Sequence, residues 1–391
     1  MRFAALLLLG VVGIVASADA ATLRQCKAAC AASVSACRAE ACNGLGGRRG
    51  RRCDKLCRSQ TYRLCRVAGL RMCTPPSTTT TSTTLAPATK YYSARDLGTL
   101  GGKKSVPLDL NEHGDVVGMS TVGNVTRAFL YTGGVMQDLG TLGGTNSVAM
   151  GLNDVGDVVG WSYDGSMDYG QWAFHWRDGV MTHLHVPLLI GRMAINDAGR
   201  LVGGHGYDSL PFILPPLDPP LDPSFLSAWD VDESGDLAGT MAGYPEHAAA
   251  VIGGSITDLG TLAGPAYPTA TSRAYAINAG AVVGDSDTAV FERHAFVYRD
   301  GTMLDLGTLR AVNGAVSTAT DVNAGGRIIG ASDGVPFLYD DGRMVPVADL
   351  VDPSLGWLIV SVHAINDKGQ LAVAAFTGDP DVHAVLLTPP P

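Results

Sequence analysis

One phrase recurs along most of the chain: an apolar residue, Asn or Asp, two turn residues, Gly, an apolar pair and a further small residue. It reads LNEHGDVVG at 110–118, LNDVGDVVG at 152–160, INDAGRLVG at 195–203 and VDESGDLAG at 231–239. It returns as INAGAVVG at 277–284, one residue short, as VNAGGRIIG at 322–330 and as INDKGQLAV at 365–373. The Asn/Asp positions are 111, 153, 196, 232, 278, 323 and 366, spaced by 42, 43, 36, 46, 45 and 43 residues. Seven near-regular copies define a repeat architecture, in which one supersecondary unit buries its faces against its neighbours.

The rest of each unit repeats as well. An aromatic strand follows the phrase, as in RAFLY (127–131), WAFHW (172–176), HAFVY (294–298) and VPFLY (335–339). A Gly turn and a strand ending DLGTL come next, clear at 96–100, 138–142, 258–262 and 305–309. Asn or Asp caps a bend and Gly takes its left-handed position, so the phrase itself is a turn between two short strands. The 49 glycines and 21 prolines suit many short strands joined by tight turns. Four strands in about 43 residues is a propeller blade. The first unit is preceded by a spare DLGTL strand, Asp96–Leu100, and the last ends at His383–Leu387 without one. The N-terminal strand is therefore expected to complete the last blade and remove the exposed sheet edges. The expected fold is all-β: a seven-bladed β-propeller over residues 91–391, preceded by a small disulfide-rich α-hairpin.

The repeat resembles the bacterial extracellular HAF-repeat family. The shared pattern is DLGTLGG, a small-residue strand ending in IN, G-x-VVG, HAF with an aromatic, then DG. It is fullest across Asp258–Asp305, with Ala276-Ile277-Asn278, Val282-Val283-Gly284, His294-Ala295-Phe296 and Asp300-Gly301. The resemblance covers about three quarters of the chain. It implies a secreted or surface protein without an established activity, and it says nothing of the residues before the repeats.

Those residues form three segments. Residues 1–20 read as a signal peptide, with Arg2, an apolar run Phe3–Val15 and an Ala18-Asp19-Ala20 cleavage site, so export to the extracellular space or cell surface is expected. No later segment is apolar for long enough to span a bilayer as a helix. Residues 21–73 carry all eight cysteines: Cys26, Cys30, Cys37, Cys42, Cys53, Cys57, Cys65 and Cys73. An even number behind an export signal reads as a disulfide framework, with a four-thiolate zinc site as the disfavoured alternative. Residues 74–90 are a Thr/Ser/Pro-rich linker, extended and solvated. Charge divides the chain: residues 21–75 hold 12 Lys/Arg against 2 Asp/Glu, and residues 76–391 hold 15 against 34. The Arg48–Arg52 cluster makes an anionic polymer a candidate partner of the hairpin.

Motifs that mimic active sites sit at ordinary repeat positions. Gly284-Asp285-Ser286 follows VVG and lacks the strained elbow of a serine nucleophile. Asp109–Gly114 starts like a calcium loop, but its twelfth position is Ser120, so calcium is disfavoured and no cofactor is expected. His183 and His185 share a strand face without a third ligand in evident reach, and no metal or catalytic residue is assigned. Leu210–Pro223 is rich in proline and reads as an outer-edge or loop segment. The second unit departs most from the pattern. Trp172, Phe174 and Trp176 alternate along one strand and are expected to fill the space between blades. The loop before that strand, Tyr163–Gln171, is Gly-rich and holds Tyr163, Asp164, Asp168 and Tyr169, aromatic faces beside carboxylates that suit sugar recognition. The expected function is a monomeric binding or scaffold protein for extracellular carbohydrate or protein, rather than an enzyme. The alternatives are a polysaccharide-acting enzyme on a propeller and a purely structural envelope protein.

Overall fold

The computed structural model describes residues 91–391 apart from 167–169, 188–190, 205–211, 216–223, 244, 290–291, 311 and 377–380. The segments expected to be a signal peptide, a Cys-rich α-hairpin with the eight cysteines and a linker lie outside the described residues. Seven antiparallel sheets follow in chain order, each a meander, so each is one blade. Six blades have four strands. The third, Met193–Ile195, Leu201–Gly203 and Phe212–Leu214, has three among the described residues. The proline-rich stretch thus contributes Phe212–Leu214 as an outer strand.

The last blade is completed from the other end of the chain. Ser93–Asp96 pairs antiparallel with Val382–Thr388, Ser93 opposite Thr388 and Asp96 opposite Val385. Leu97 continues the ladder, its N–H donating to the Ala384 carbonyl at 2.9 Å. The spare first strand fills the vacancy left by the last unit and the ring is closed.

Seven apolar clusters hold the blades together, one at each blade–blade interface. The aromatic strand supplies the largest buried side chain at several of them: Phe129, Phe174, Phe296 and Phe337 are fully buried. The glycine ending the recurring phrase explains itself against these rings. A Cβ at Gly118 would lie 2.1 Å from the Val106 carbonyl oxygen and 3.0 Å from the Phe129 ring, and Gly330 meets Thr318 and Phe337 in the same way. Only a residue without a side chain lets the ring lie flat on the next strand. Phe174 and Trp176 are buried between the first and second blades as the sequence suggests, while Trp172 is half-buried.

The recurring Asn does more than bend the chain. Asn111 accepts from the His113 and Asp115 N–H groups, and its amide donates across the blade boundary to the Asn153 carbonyl at 3.2 Å. Asn153 reaches Asn196, Asn196 reaches Asp232, Asn323 reaches Asn366, and Asn366 returns to Asn111 at 3.0 Å. A second series runs outside the first. The acid after the Asn accepts the equivalent N–H of the preceding blade: Glu112 N–H to Asp154, Asp154 to Asp197, Asp197 to Glu233 and Asp367 to Glu112. The two series run from blade six through seven, one, two and three to blade four, and fix the angle between those neighbours with groups that would otherwise be unpaired turn atoms.

Candidate functional site

In an antiparallel meander the first-to-second and third-to-fourth connections share one face of the ring, and the remaining connections share the other. The Asn turns therefore occupy one face. Tyr163, Asp164 and the connections between blades occupy the opposite one, here called the loop face.

Six of the seven innermost strands are kinked near their ends. In blades one, two, four, five, six and seven the register slips by one residue, two or three before the turn Asn/Asp. The unpaired residue of such a bulge is turned away from the sheet. These residues are Leu108, Met150, Trp229, Tyr275, Thr320 and His363, and all of them line a cavity of about 120 Å³ inside the ring. Blade three has no bulge: Met193 pairs with Gly203 and is buried, and Arg192, one residue earlier, lines the cavity together with Met193 and Ala194. A missing bulge thus brings a guanidinium to the axis.

Asp109, Asp230 and Asp321 follow bulge residues in blades one, four and six. Asp109 accepts from Leu110 N–H at 2.8 Å and from Leu152 N–H of the next blade at 2.7 Å. Asp230 accepts from Ile277 and Asp321 from Val322 and Ile365, each again reaching the next blade. Arg192 Nη1 donates to the Tyr275 and Thr320 carbonyls at 3.3 and 3.4 Å. Among the described residues no carboxylate lies within ion-pair distance of it, although three share its cavity. His363 Nε2 is 2.7 Å from Ser361 Oγ. The Trp229 indole nitrogen is buried without a hydrogen-bond partner.

These carboxyls touch the lumen but are surrounded by protein, and burial is the largest influence on their protonation. It pushes Asp109 up to about 7, Asp230 to about 8 and Asp321 to about 6, against the opposing pull of backbone N–H groups and of Arg192. Burial, assisted by Arg192, pushes His363 down to about 4. A carboxyl with a raised folded pKa contributes stability that is full below about pH 4 and is lost as the pH climbs through the folded value. His363 acts in the opposite sense, losing stability only as the pH falls below 6.5 toward about 4. Above about pH 6.5 the carboxyls alone decide the sign. Stability is expected to fall by about 2 kcal/mol between about pH 6.5 and 8.5, a drop of several degrees in Tm. Asp230→Asn should remove most of that slope. Parallel slopes for wild type and Asp230→Asn would refute the assignment.

The residues that look reactive in the sequence are engaged in the repeat. Ser286 Oγ accepts from Leu262 N–H, and Asp285 pairs with Arg293 at 2.7 Å. His247, His294 and His383 pair with Asp258, Asp305 and Asp96, the DLG aspartates, whose carboxylates also accept from their own Gly N–H. His183 accepts from His185 N–H, and their rings stack at 4.2 Å. No three metal-ligating side chains converge among the described residues. Tyr163 is half-buried, its hydroxyl 3.3 Å from Gln171 and its ring edge-on to Trp161. Asp164 accepts from the Ser166 hydroxyl and N–H, which hold its carboxyl below the usual range. Asp168 and Tyr169 lie outside the described residues. Sequence reasoning missed the axial residues. Their signal is a single repeat position, three before the turn Asn/Asp, where identity varies freely between fixed neighbours.

No family model matches the chain, and no curated protein matches it. Solved structures with a similar fold include a gluconolactonase from Xanthomonas campestris, at 13% identity over 78% of this chain and 94% of that one, TM-score 0.38. YCF48 bound to a D1 peptide matches at 12% identity over 77% and 97%, TM-score 0.44. The Aleuria aurantia lectin with α-methyl-L-fucoside matches at 12% over 73% and 94%, TM-score 0.29. Among the described residues no helix is long and apolar enough to cross a membrane.

Proposed function

We propose that this chain is a secreted or surface-associated binding or scaffold protein, whose propeller recognises extracellular carbohydrate or protein through its loop face. The observation that supports this reading most is the division of labour among its polar residues. The Asn, Asp, Ser and His of the repeat positions are held in hydrogen bonds within and between blades, so recognition falls to places where the pattern departs from itself. The second blade is the clearest such place on the loop face, with Trp161 packed edge-on against Tyr163 at 5.7 Å and a Gly-rich loop beyond it. Aromatic rings beside carboxylates stack on apolar sugar faces and bind hydroxyls. The basic Cys-rich segment 21–73, joined through the Thr/Ser/Pro-rich segment 74–90, tethers the propeller to anionic polymer in this reading.

A glycan array and a pulldown with the full chain test the reading. A specific ligand is expected, and Tyr163→Ala with Tyr169→Ala should weaken it at least about tenfold, the loss of a stacked aromatic contact. Empty results from both would put the purely structural reading ahead.

A further inference from the structure

The axial cavity has a composition that blade packing does not require. In the lumen of a closed ring the bland occupant of a bulge position is an apolar plug, as Leu108 and Met150 are. Four features depart from this. Blade three forgoes its bulge, which brings Arg192 to the axis. That guanidinium is held by two carbonyls at long distance rather than by a carboxylate, although an Arg serving only as counter-ion would take one of three neighbouring aspartates in a bidentate pair. The aspartates are committed instead to backbone N–H groups that join blades. The Trp229 indole N–H, on the same wall, is buried with no partner, and an unsatisfied buried donor calls for a bound group.

Leu358 and Val360 lie exposed on the innermost strand of blade seven, and Leu355 is exposed on the connection leading to it. An engineered apolar cavity of about 150 Å³ admits benzene, so about 120 Å³ suits a body of about five non-hydrogen atoms. We propose that the axial cavity is a binding site for a small organic monocarboxylate, its carboxylate seated on Arg192 and its short body against Trp229, Met150 and Leu108. One cation accounts for one carboxylate, and the surrounding aspartates disfavour a second.

The charged and titratable groups facing Arg192 are Asp109 from blade one, Asp230 from blade four, Tyr275 from blade five, Asp321 from blade six and His363 from blade seven; blade two offers only Met150. Carboxyls that are protonated leave the Arg192 charge uncompensated, and their ionisation opposes an incoming anion. Binding therefore strengthens in mild acid and takes up protons.

The test is calorimetric titration of the full chain with propionate, and with propionamide as its uncharged counterpart, at about pH 5.5 and pH 8.5. Propionate is expected to bind at about pH 5.5 at least tenfold more tightly than at pH 8.5, with proton uptake in a third titration at about pH 7, where the carboxyls are part-ionised, and propionamide not to bind. Arg192→Met should abolish propionate binding, and Arg192→Lys should weaken it while keeping its preference over the amide. The wild-type comparison of acid with amide decides the matter even if the variants fail to fold. Equal binding of propionate and propionamide, or no propionate binding at about 100 mM, would overturn the proposal. The outcome is independent of the glycan reading, which rests on the second blade and is tested by Tyr163→Ala.

Discussion

Leu97→Pro is expected to open the ring, lowering Tm by about 10 °C or more and producing a chain that self-associates on size-exclusion chromatography. Two losses combine at this residue. Proline cannot donate the N–H that Leu97 gives to Ala384, and leaving that buried carbonyl without its partner costs about 1–3 kcal/mol. The leucine side chain is also buried, packed with Leu110 and Phe129 of the first blade and Ala384 and Leu386 of the last, and losing such a side chain costs about 2–5 kcal/mol. Either loss is a large fraction of the about 5–15 kcal/mol that holds a typical domain folded. The second consequence is topological. Without Ser93–Asp96 in place, Val382–Thr388 presents a free strand edge, an invitation to pair with another copy. Arg95→Ala, on the same strand but exposed, is the control and should change Tm little. A Leu97→Pro protein that melts within a degree or two of wild type and stays monomeric would show that closure by this strand contributes nothing.

The closing strand was legible because a repeat makes omissions visible. DLGTL at 96–100 has no unit of its own, and HAVLL at 383–387 has no partner, so the ring could be inferred from two mismatches. The Phe129, Phe174, Phe296 and Phe337 wedges were legible for the same reason, as one aromatic recurring beside a glycine. The cross-blade bonds were only half legible. Asn at 111, 153, 196, 323 and 366 is sufficiently explained as a turn residue, and sequence contains nothing to say that its spare amide hydrogen faces the next blade. The acid after it carried a stronger hint: Glu112, Asp154, Asp197, Glu233 and Asp367 recur where a turn alone has no need of charge.

The axial site was illegible for a more physical reason. Which side chain enters the lumen is decided by a one-residue slip in strand register, and a slip exchanges the two faces of everything beside it. Met193 and Arg192 show this directly. By alignment to the repeat Met193 holds the lumen position, but without the bulge it is paired and buried in the cluster between blades two and three, and Arg192 joins it at the lumen. A residue pattern records which positions repeat, not the backbone irregularity that aims them. The loop of the second blade posed the opposite difficulty. Its aromatic and acidic content stands out at once, yet Asp164 proves to be occupied by Ser166, so composition alone overstated how many of its groups are available to a ligand.

The amide ring supplies the other large effect, Asn153→Asp. Asn153 is almost fully buried, and every polar atom of its side chain is used: the amide nitrogen donates to Asp157 at 3.2 Å and to the Asn196 carbonyl at 3.0 Å, and the oxygen accepts from Asp157 N–H at 2.7 Å. A carboxylate in its place removes both donors and sets a second negative group against Asp157, which already holds His175 and Arg177. Breaking a buried polar network in a way that leaves a charge uncompensated costs about 3–5 kcal/mol, against about 1–3 for losing the hydrogen bonds alone. Asn153→Asp should therefore be more destabilising than Asn153→Ala despite being nearly isosteric. Its cost should also depend on pH in a defined sense. The new carboxyl, buried beside Asp157, has a raised pKa and is tolerated best when protonated, so the variant's deficit grows as the pH rises from about 5 to 8. The deficit of Asn153→Ala should stay constant. Blade four shows why the ring is built of amides. Asp232 occupies the Asn position there, its carboxylate accepts from Ser234 and Asp236 of its own turn, and burial pushes its pKa up. It can give nothing to blade five, and that boundary is bridged instead by Asp230 and Ile277 N–H. An acid is accepted where a second carboxylate takes over the link. In blade two the place of Asp230 is held by Gly151, which has no side chain to carry the link to blade three, so nothing remains to replace the Asn153 amide. Thermal unfolding of the two variants across pH decides the point: equal, pH-independent losses would mean that the amide serves only its own turn.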